Sequence, residues 1–361
     1  MSNTSRSVPG PFTVISGGQV HEALLHREKD LIRLVEHGYR LHGNGQSETV
    51  NPPSSFLRFP DDPANRIIAL PASVAGDVRV AGIKWISSFP ANVDKGLPRA
   101  SAVVVLNDLE TGYPLACIEG SIISAVRTAA SAALAALRLG EGRPSTERIG
   151  IFGTGLIARY VHTFLVAAGL DAREIHLYDS SRPHVDGFAG YLRRTGGPGR
   201  TVTVHDSAEN LIRSSDLVVF ATTAGTPHVS EPAWFAHHPL VLHVSLRDLS
   251  AEVAFANCNV VDDVEHCLRA QTSLHLAEQL TGNRDHVHAT LYDVLTGAFV
   301  PPVDRTVVFS PFGLGVLDLV VAQHVYQLVS RSEHAVVIPD FFHELSRYGA
   351  ENLGAASDDP E

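Results

Sequence analysis

The chain has 361 residues, 44% of them hydrophobic, a formal net charge of −11 and three cysteines. That length buries a large core and predicts two domains, while the acidic balance, with no Lys/Arg-rich run to offset it, argues against a nucleic-acid partner. Three scattered cysteines, Cys117, Cys258 and Cys267, are too few for a disulfide framework or a four-ligand zinc site, and read as buried reduced thiols of a cytoplasmic protein.

In chain order, Met1 to Pro11 is polar and has no apolar run of the signal-peptide kind. No window reaches the uninterrupted apolar length, roughly 18 residues, of a membrane span. Residues 20–42 carry Leu24, Leu31, Leu34 and Val35 on a helical period. Strand-like runs follow at Arg66–Pro71, Val78–Phe89, Ala102–Leu106 and Pro114–Ile118, the last two flanking a hairpin turn at Asn107–Gly112. This part is mainly β. The Ala-rich stretch Thr128–Leu139 predicts a helix.

From Ile149 strands and helices alternate. The expected strands are Ile149–Phe152, Ile175–Tyr178, Thr201–Val204, Leu217–Phe220, Val241–Val244, Val260–Asp262 and Val307–Phe309, with Ser207 capping the helix before Leu217. Short buried strands alternating with helices predict a doubly wound parallel sheet, an α/β fold. A helix over Gly313–Ser330, apolar on most faces, should return to pack on the first domain. The tail from Gly354 is polar and expected to fray.

The most informative stretch is Ile149–Ala158, an apolar strand running into Gly153-Thr154-Gly155-Leu156-Ile157-Ala158, followed by a second strand ending at Asp179. Strand, G-x-G-x-x-A turn, helix, strand and acid form the arrangement that binds a dinucleotide. Gly153 permits the tight turn, Gly155 lets the backbone approach the pyrophosphate, and the helix N-terminus offers free N–H groups. Asp179 would accept from the ribose hydroxyls and repel a 2′-phosphate, so the expected cofactor is NAD.

Three further elements can carry chemistry. Lys84 lies inside the apolar run Gly82–Pro90, where it faces an anion or snorkels from an edge. Arg127 and Arg58 are placed to clamp carboxylates, or to be solvated surface groups. Ser245-Leu246-Arg247-Asp248 follows a strand end, where ligands of such sheets collect, so Asp248 is a general base or an N-cap. Neither His237-His238 nor His286–His288 has carboxylate or thiolate partners at ligand spacing, and no metal site is expected.

Together, Gly82–Asn92, Gly96–Pro98, Asp108–Pro114 and Val126–Ala130 resemble the ornithine cyclodeaminase/μ-crystallin family, from about Arg58 to Asp318. The resemblance implies a homodimer whose protomer has a Rossmann NAD-binding domain over residues 129–311. A discontinuous, mainly β (α+β) substrate-binding and dimerisation domain, 1–128 with 312–361, would flank it. It implies that Lys84, Arg58 and Arg127 hold the substrate carboxylate and that Lys84 and Asp248 are catalytic, Asp248 as acid/base. Cofactor contacts would come from Gly153, Thr154, Gly155, Leu156 and Asp179, with Thr222, Ser245, Arg127 and Thr128. Two features depart from cyclodeaminases. Their Gly-Gly-Asp-x-Pro-Gly-Lys-type loop is replaced by Ser245–Glu252, and Pro311 stands where they typically place Ser. With Ile83–Ile86, these features resemble the branch that makes 2,3-diaminopropionate for siderophores and peptide antibiotics by oxidising N-(2-amino-2-carboxyethyl)-L-glutamate. An ornithine cyclodeaminase, an alanine or imino-acid dehydrogenase, and a non-catalytic μ-crystallin-like binding protein are the alternatives.

Overall fold

The computed structural model describes residues 11–45, 48–197 and 199–342; the tail from Gly354 lies outside them. The chain begins with β1 (Phe12–Ile15), α1 (Gly17–Leu24), α2 (Glu28–Gly43), β2 (Ser55–Arg58), β3 (Arg66–Val74), β4 (Val80–Ser88), β5 (Ala100–Asn107), β6 (Pro114–Glu119) and α3 (Ser121–Leu139). It continues through β7 (Arg148–Phe152), α4 (Leu156–Ala167), β8 (Glu174–Tyr178), α5 (Arg182–Thr195), β9 (Thr201–Val204), α6 (Ala208–Arg213), β10 (Leu217–Phe220), β11 (Leu240–His243) and α7 (Ala251–Ala256). The last elements are β12 (Cys258–Val261), α8 (Val264–Cys267), α9 (Ser273–Thr281), β13 (Val287–Thr290), α10 (Leu291–Thr296), β14 (Val307–Ser310), α11 (Gly315–Val329) and β15 (Val336–Ile338).

Seven strands form the first sheet, in the order β15-β1-β6-β5-β4-β3-β2. All its pairs are antiparallel except β1 with β6. Alternation sorts the side chains. Leu70, Ala72 and Val74 of β3 are buried, as are Val80 and Lys84 of β4 and Val104 and Leu106 of β5; α11 packs on β3, β4 and β5. The opposite face carries Ile83, Trp85, Val103 and Val105, paired Ile83 to Val105 and Trp85 to Val103; Trp85 is 44% and Val103 40% exposed. The β5–β6 hairpin closes as expected, with the Asp108 carboxylate accepting from the Thr111 N–H and hydroxyl.

Eight strands form the second sheet, in the order β13-β12-β14-β11-β10-β7-β8-β9, every pair parallel. Strands β10, β11, β12 and β14 are buried at every position, as strands covered on both faces must be. The chain runs outward from β7 to β9, then returns to β10 on the other side of β7 and runs outward again. That reversal opens a crevice beyond the carboxyl ends of β7 and β10.

Helix α3 ties the two sheets into one core, touching α2 and β5 on one side and α4 and β11 on the other. By length and composition it would span a membrane, yet twelve of its nineteen residues are buried in protein. Ser207 caps α6 by accepting from the Asn210 N–H.

Three expectations are corrected. The single helix over 20–42 is two, because His26 sits in the left-handed region at φ 59° and turns the chain between α1 and α2. The last long helix starts at Gly315 rather than Gly313, which itself has φ 96°. Strands β1, β2, β13 and β15 were not expected; each has three or four residues, and β2, β13 and β15 lie at sheet edges.

Candidate active site

At the end of β7, Gly153 has φ 78°, and a Cβ there would stand 2.5 Å from the Ala221 carbonyl oxygen after β10. Any side chain would push the turn off the neighbouring strand. Gly155 faces open space, and it starts α4 with no side-chain cap, so the first N–H groups of that helix are left for a ligand. Leu156, beside it, is 55% exposed. Asp179, just past β8, accepts from the Thr154 N–H at 2.8 Å and the Thr154 hydroxyl at 2.7 Å through one oxygen, and from the Ser181 N–H at 2.9 Å through the other. A carboxylate has about four lone-pair sites, so a ribose hydroxyl can still be received. Uncapped amides, an open glycine, an uncovered leucine and an acid at the second strand's end fit a dinucleotide.

Lys84, central in β4, is fully buried and is no edge residue. Its ammonium stands 2.6 Å from Asp318 Oδ2 and 3.3 Å from Ser124 Oγ, donating to the hydroxyl. Arg127, on α3, donates from Nε to Asp318 Oδ1 at 3.0 Å. Gly313 lets the guanidinium lie close, since a Cβ there would fall 2.5 Å from Arg127 Nη1. Two cations share one carboxylate, leaving a net positive charge in a buried place, which is costly unless an anion arrives. Burial, with repulsion from Arg127, pushes the Lys84 ammonium down to about 8 despite the attraction of Asp318. Thr128 lies one position further along α3, half-buried. The sequence reading missed Asp318, although an aspartate in an otherwise apolar helix carries the same signal as a lysine in an apolar strand.

Asp248 follows β11 and is fully buried. One of its oxygens accepts from the Thr222 hydroxyl and stands 3.1 Å from His228 Nε2; the other accepts from the Ser245 hydroxyl and stands 3.2 Å from His243 Nε2. Burial alone would raise this carboxyl, but the contacts with His228, His243 and Ser245 hold it far below the usual carboxylate range. Asp248 does not cap the next helix: Ser250 does, accepting from the Val253 N–H. Of the residues around Asp248, His228 is the exposed one, its side chain 38% accessible. Neither His228 nor His243 was singled out in the sequence, where nothing short of the pairing itself points to them.

Arg58 stands apart from Lys84 along the first sheet. It pairs with Arg66 across β2–β3, and Arg66 pairs with Ser88 across β3–β4, whereas Lys84 pairs with Leu70. Lys84 and Ser88 are four positions apart on β4, about 13 Å at the usual strand rise.

The model of the ornithine cyclodeaminase/mu-crystallin family matches residues 15–333. The N-((2S)-2-amino-2-carboxyethyl)-L-glutamate dehydrogenase of Staphylococcus aureus is 28% identical over 298 residues, 80% of this chain and 87% of that protein. Among solved structures, CmnK superposes with a TM-score of 0.81 at 30% identity, covering 92% of this chain and 100% of CmnK. An archaeal alanine dehydrogenase dimer with bound NAD superposes at 0.80 with 26% identity, over 92% and 100% of the two chains.

Proposed function

The chain belongs to the ornithine cyclodeaminase/mu-crystallin family, and we propose that within it the protein is an NAD-dependent oxidoreductase acting on an amino-acid C–N bond. Its proposed substrate is N-(2-amino-2-carboxyethyl)-L-glutamate, converted with water and NAD⁺ into 2-oxoglutarate, L-2,3-diaminopropionate, NADH and a proton. The observation that carries the reading is the buried Lys84–Asp318–Arg127 cluster, in which two cations share one carboxylate and leave a net positive seat. Similarity to the staphylococcal dehydrogenase supports the finer substrate, and the NAD-bound neighbour supports the cofactor.

Bound NAD⁺ supplies the hydride acceptor. Lys84 and Arg127 hold the glutamate α-carboxylate, and Asp318 keeps both cations in place, which orients Cα for oxidation. Once Cα has lost hydride, the remaining C=N bond takes up water. Asp248 carries the acid/base work, first for the amine proton and then for the water. Being buried, it acts on the cleft together with the exposed His228, whose Nε2 stands 3.1 Å from its carboxylate. Gly153, Thr154, Gly155, Leu156 and Asp179 would hold the dinucleotide, together with Thr222, Ser245, Arg127 and Thr128. Arg58 contributes to holding the substrate.

The protein is proposed to be a cytoplasmic homodimer, divided at residues 128/129 and 311/312, that pairs through the apolar outer face of the first sheet; its three cysteines are free thiols. A second reading, oxidation of a small amino acid such as alanine, has the archaeal neighbour in its favour.

Absorbance of NADH separates these readings. One NADH per conjugate consumed is the expected result; NADH from alanine alone selects the second reading, and ammonia from ornithine without net NADH would make it a cyclodeaminase. Asp248→Asn should retain NAD binding and lose roughly two to four orders of magnitude in turnover.

A further inference from the structure

Four arginines gather where the first sheet meets the loop after β11. Arg58 and Arg66 are direct cross-strand partners. Arg66 pairs with Ser88, whose hydroxyl accepts from Arg99 Nη1 at 2.7 Å. From the second sheet's side comes Arg247, immediately before Asp248, its guanidinium donating to the Ala270 carbonyl at 2.7 Å. Among the described residues, none of the four has a carboxylate within ion-pair distance, although arginines 33, 40, 79, 127, 138, 148, 182, 200, 213 and 284 do. In a chain of net charge −11, a group of cations left without acids needs a reason.

Arg66, Arg99 and Arg247 are half-buried rather than splayed into water. Burial, then repulsion from Arg247, Arg99 and Arg58, pushes the Arg66 guanidinium down to about 10. Arg247 is likewise lowered, by burial and by Arg58, and Arg99 by burial. Folding therefore holds these like charges together at a cost, and an anion seated among them would relieve it.

The strand register places this group relative to the oxidation site. Arg66 and Ser88 lie on the same face of β3 and β4 as Leu70 and Lys84, with Ile68 and Ile86 between them. One face thus carries a cationic seat at Lys84–Arg127, an apolar row, and a second cationic seat at the arginines, about 13 Å along the strand; long arginine side chains shorten that gap.

We infer that Arg58, Arg66, Arg99 and Arg247 form a distal anion subsite that selects substrates bearing a second carboxylate remote from the one held by Lys84 and Arg127. The ligand class is an extended di- or tricarboxylic amino acid. Because Arg247 comes from the loop that also carries Asp248, seating the distal carboxylate also fixes that loop against the first sheet. The inference deepens the function proposed above and rests on Lys84 marking the oxidation site.

The test compares 2-oxoglutarate with 2-oxopentanoate, which has the same chain length but a methyl group in place of the distal carboxylate. Binding to the NADH-loaded protein is followed by calorimetry in the wild type, Arg66→Gln and Arg99→Gln. Charge-assisted hydrogen bonds predict that the wild type prefers the diacid by about 10- to 100-fold, and that each variant loses about tenfold of that preference. Binding of the monoacid should change less than about twofold on the same grounds. NADH titration confirms that each variant is folded and loaded, and Arg99→Lys should recover part of the loss. A wild type without preference, or variants that weaken both acids equally, overturns the subsite. The outcome is separable from the reaction. Arginine-dependent diacid binding without oxidation of the conjugate leaves the subsite standing and removes the proposed reaction. Oxidation of the conjugate with an unchanged KM in Arg99→Gln does the reverse.

Discussion

Lys84 shows how far one side chain can be read from its position. An ammonium inside an apolar strand is tolerated only beside an anion, and here the anion is Asp318, on a helix that returns at the far end of the chain. Since burial and Arg127 pull its pKa down to about 8 from 10.5, Lys84 is cationic at neutral pH and loses its proton above about 8. The kcat/KM profile should accordingly fall on its basic limb with an apparent pKa near 8, because the neutral amine no longer grips a carboxylate. A profile flat to pH 10 would remove Lys84 from substrate binding. The sign for stability is opposite. Between about 8 and 10.5 the unfolded chain binds a proton that the folded one does not, so this group's contribution to stability rises with pH across that window.

At the scale of elements, the glycine turn between β7 and α4 separates folding from binding. Gly153 is required by the backbone itself, with φ 78° and a Cβ that would meet Ala221. Gly155 has ordinary φ and open space around it. Gly153→Ala should therefore lower the thermal midpoint, with a left-handed alanine alone costing about 1–2 kcal/mol, and should weaken NAD binding too. Gly155→Ala should leave the midpoint nearly unchanged while weakening NAD at least about tenfold, since its methyl group occupies the path of the pyrophosphate. Thermal melts with and without NAD distinguish the two, and equal melting losses would contradict this division. The motif was legible because strand, turn, helix and second strand are contiguous. The break at His26 was not: a single residue with φ 59° leaves the apolar period on either side intact.

For the whole molecule, assembly turns on the outer face of the first sheet. Trp85 and Val103 pair across β4–β5 and remain partly exposed, an apolar patch of the kind that marks an interface. Replacing Val103 with Glu should convert the proposed dimer to monomer in sedimentation equilibrium without changing the secondary structure, because the opposite face of β5 keeps its core contacts. A Val103→Glu protein that sediments as a dimer would place the interface elsewhere.

What the sequence determined by itself is what depends on neighbours along the chain: the alternating strands and helices, the hairpin at Asn107–Gly112, the dinucleotide turn with Asp179, and a lysine out of place in β4. What only the tertiary structure decided are pairings across long separations. Arg127 and Asp318 are 191 positions apart and Lys84 and Ser124 are 40; His228 reaches Asp248 from another loop; and Arg58, Arg66, Arg99 and Arg247 converge from both sheets. Periodicity tells which face of an element is buried, but not which element covers it. A charge has meaning only once its partner, or the lack of one, is in place.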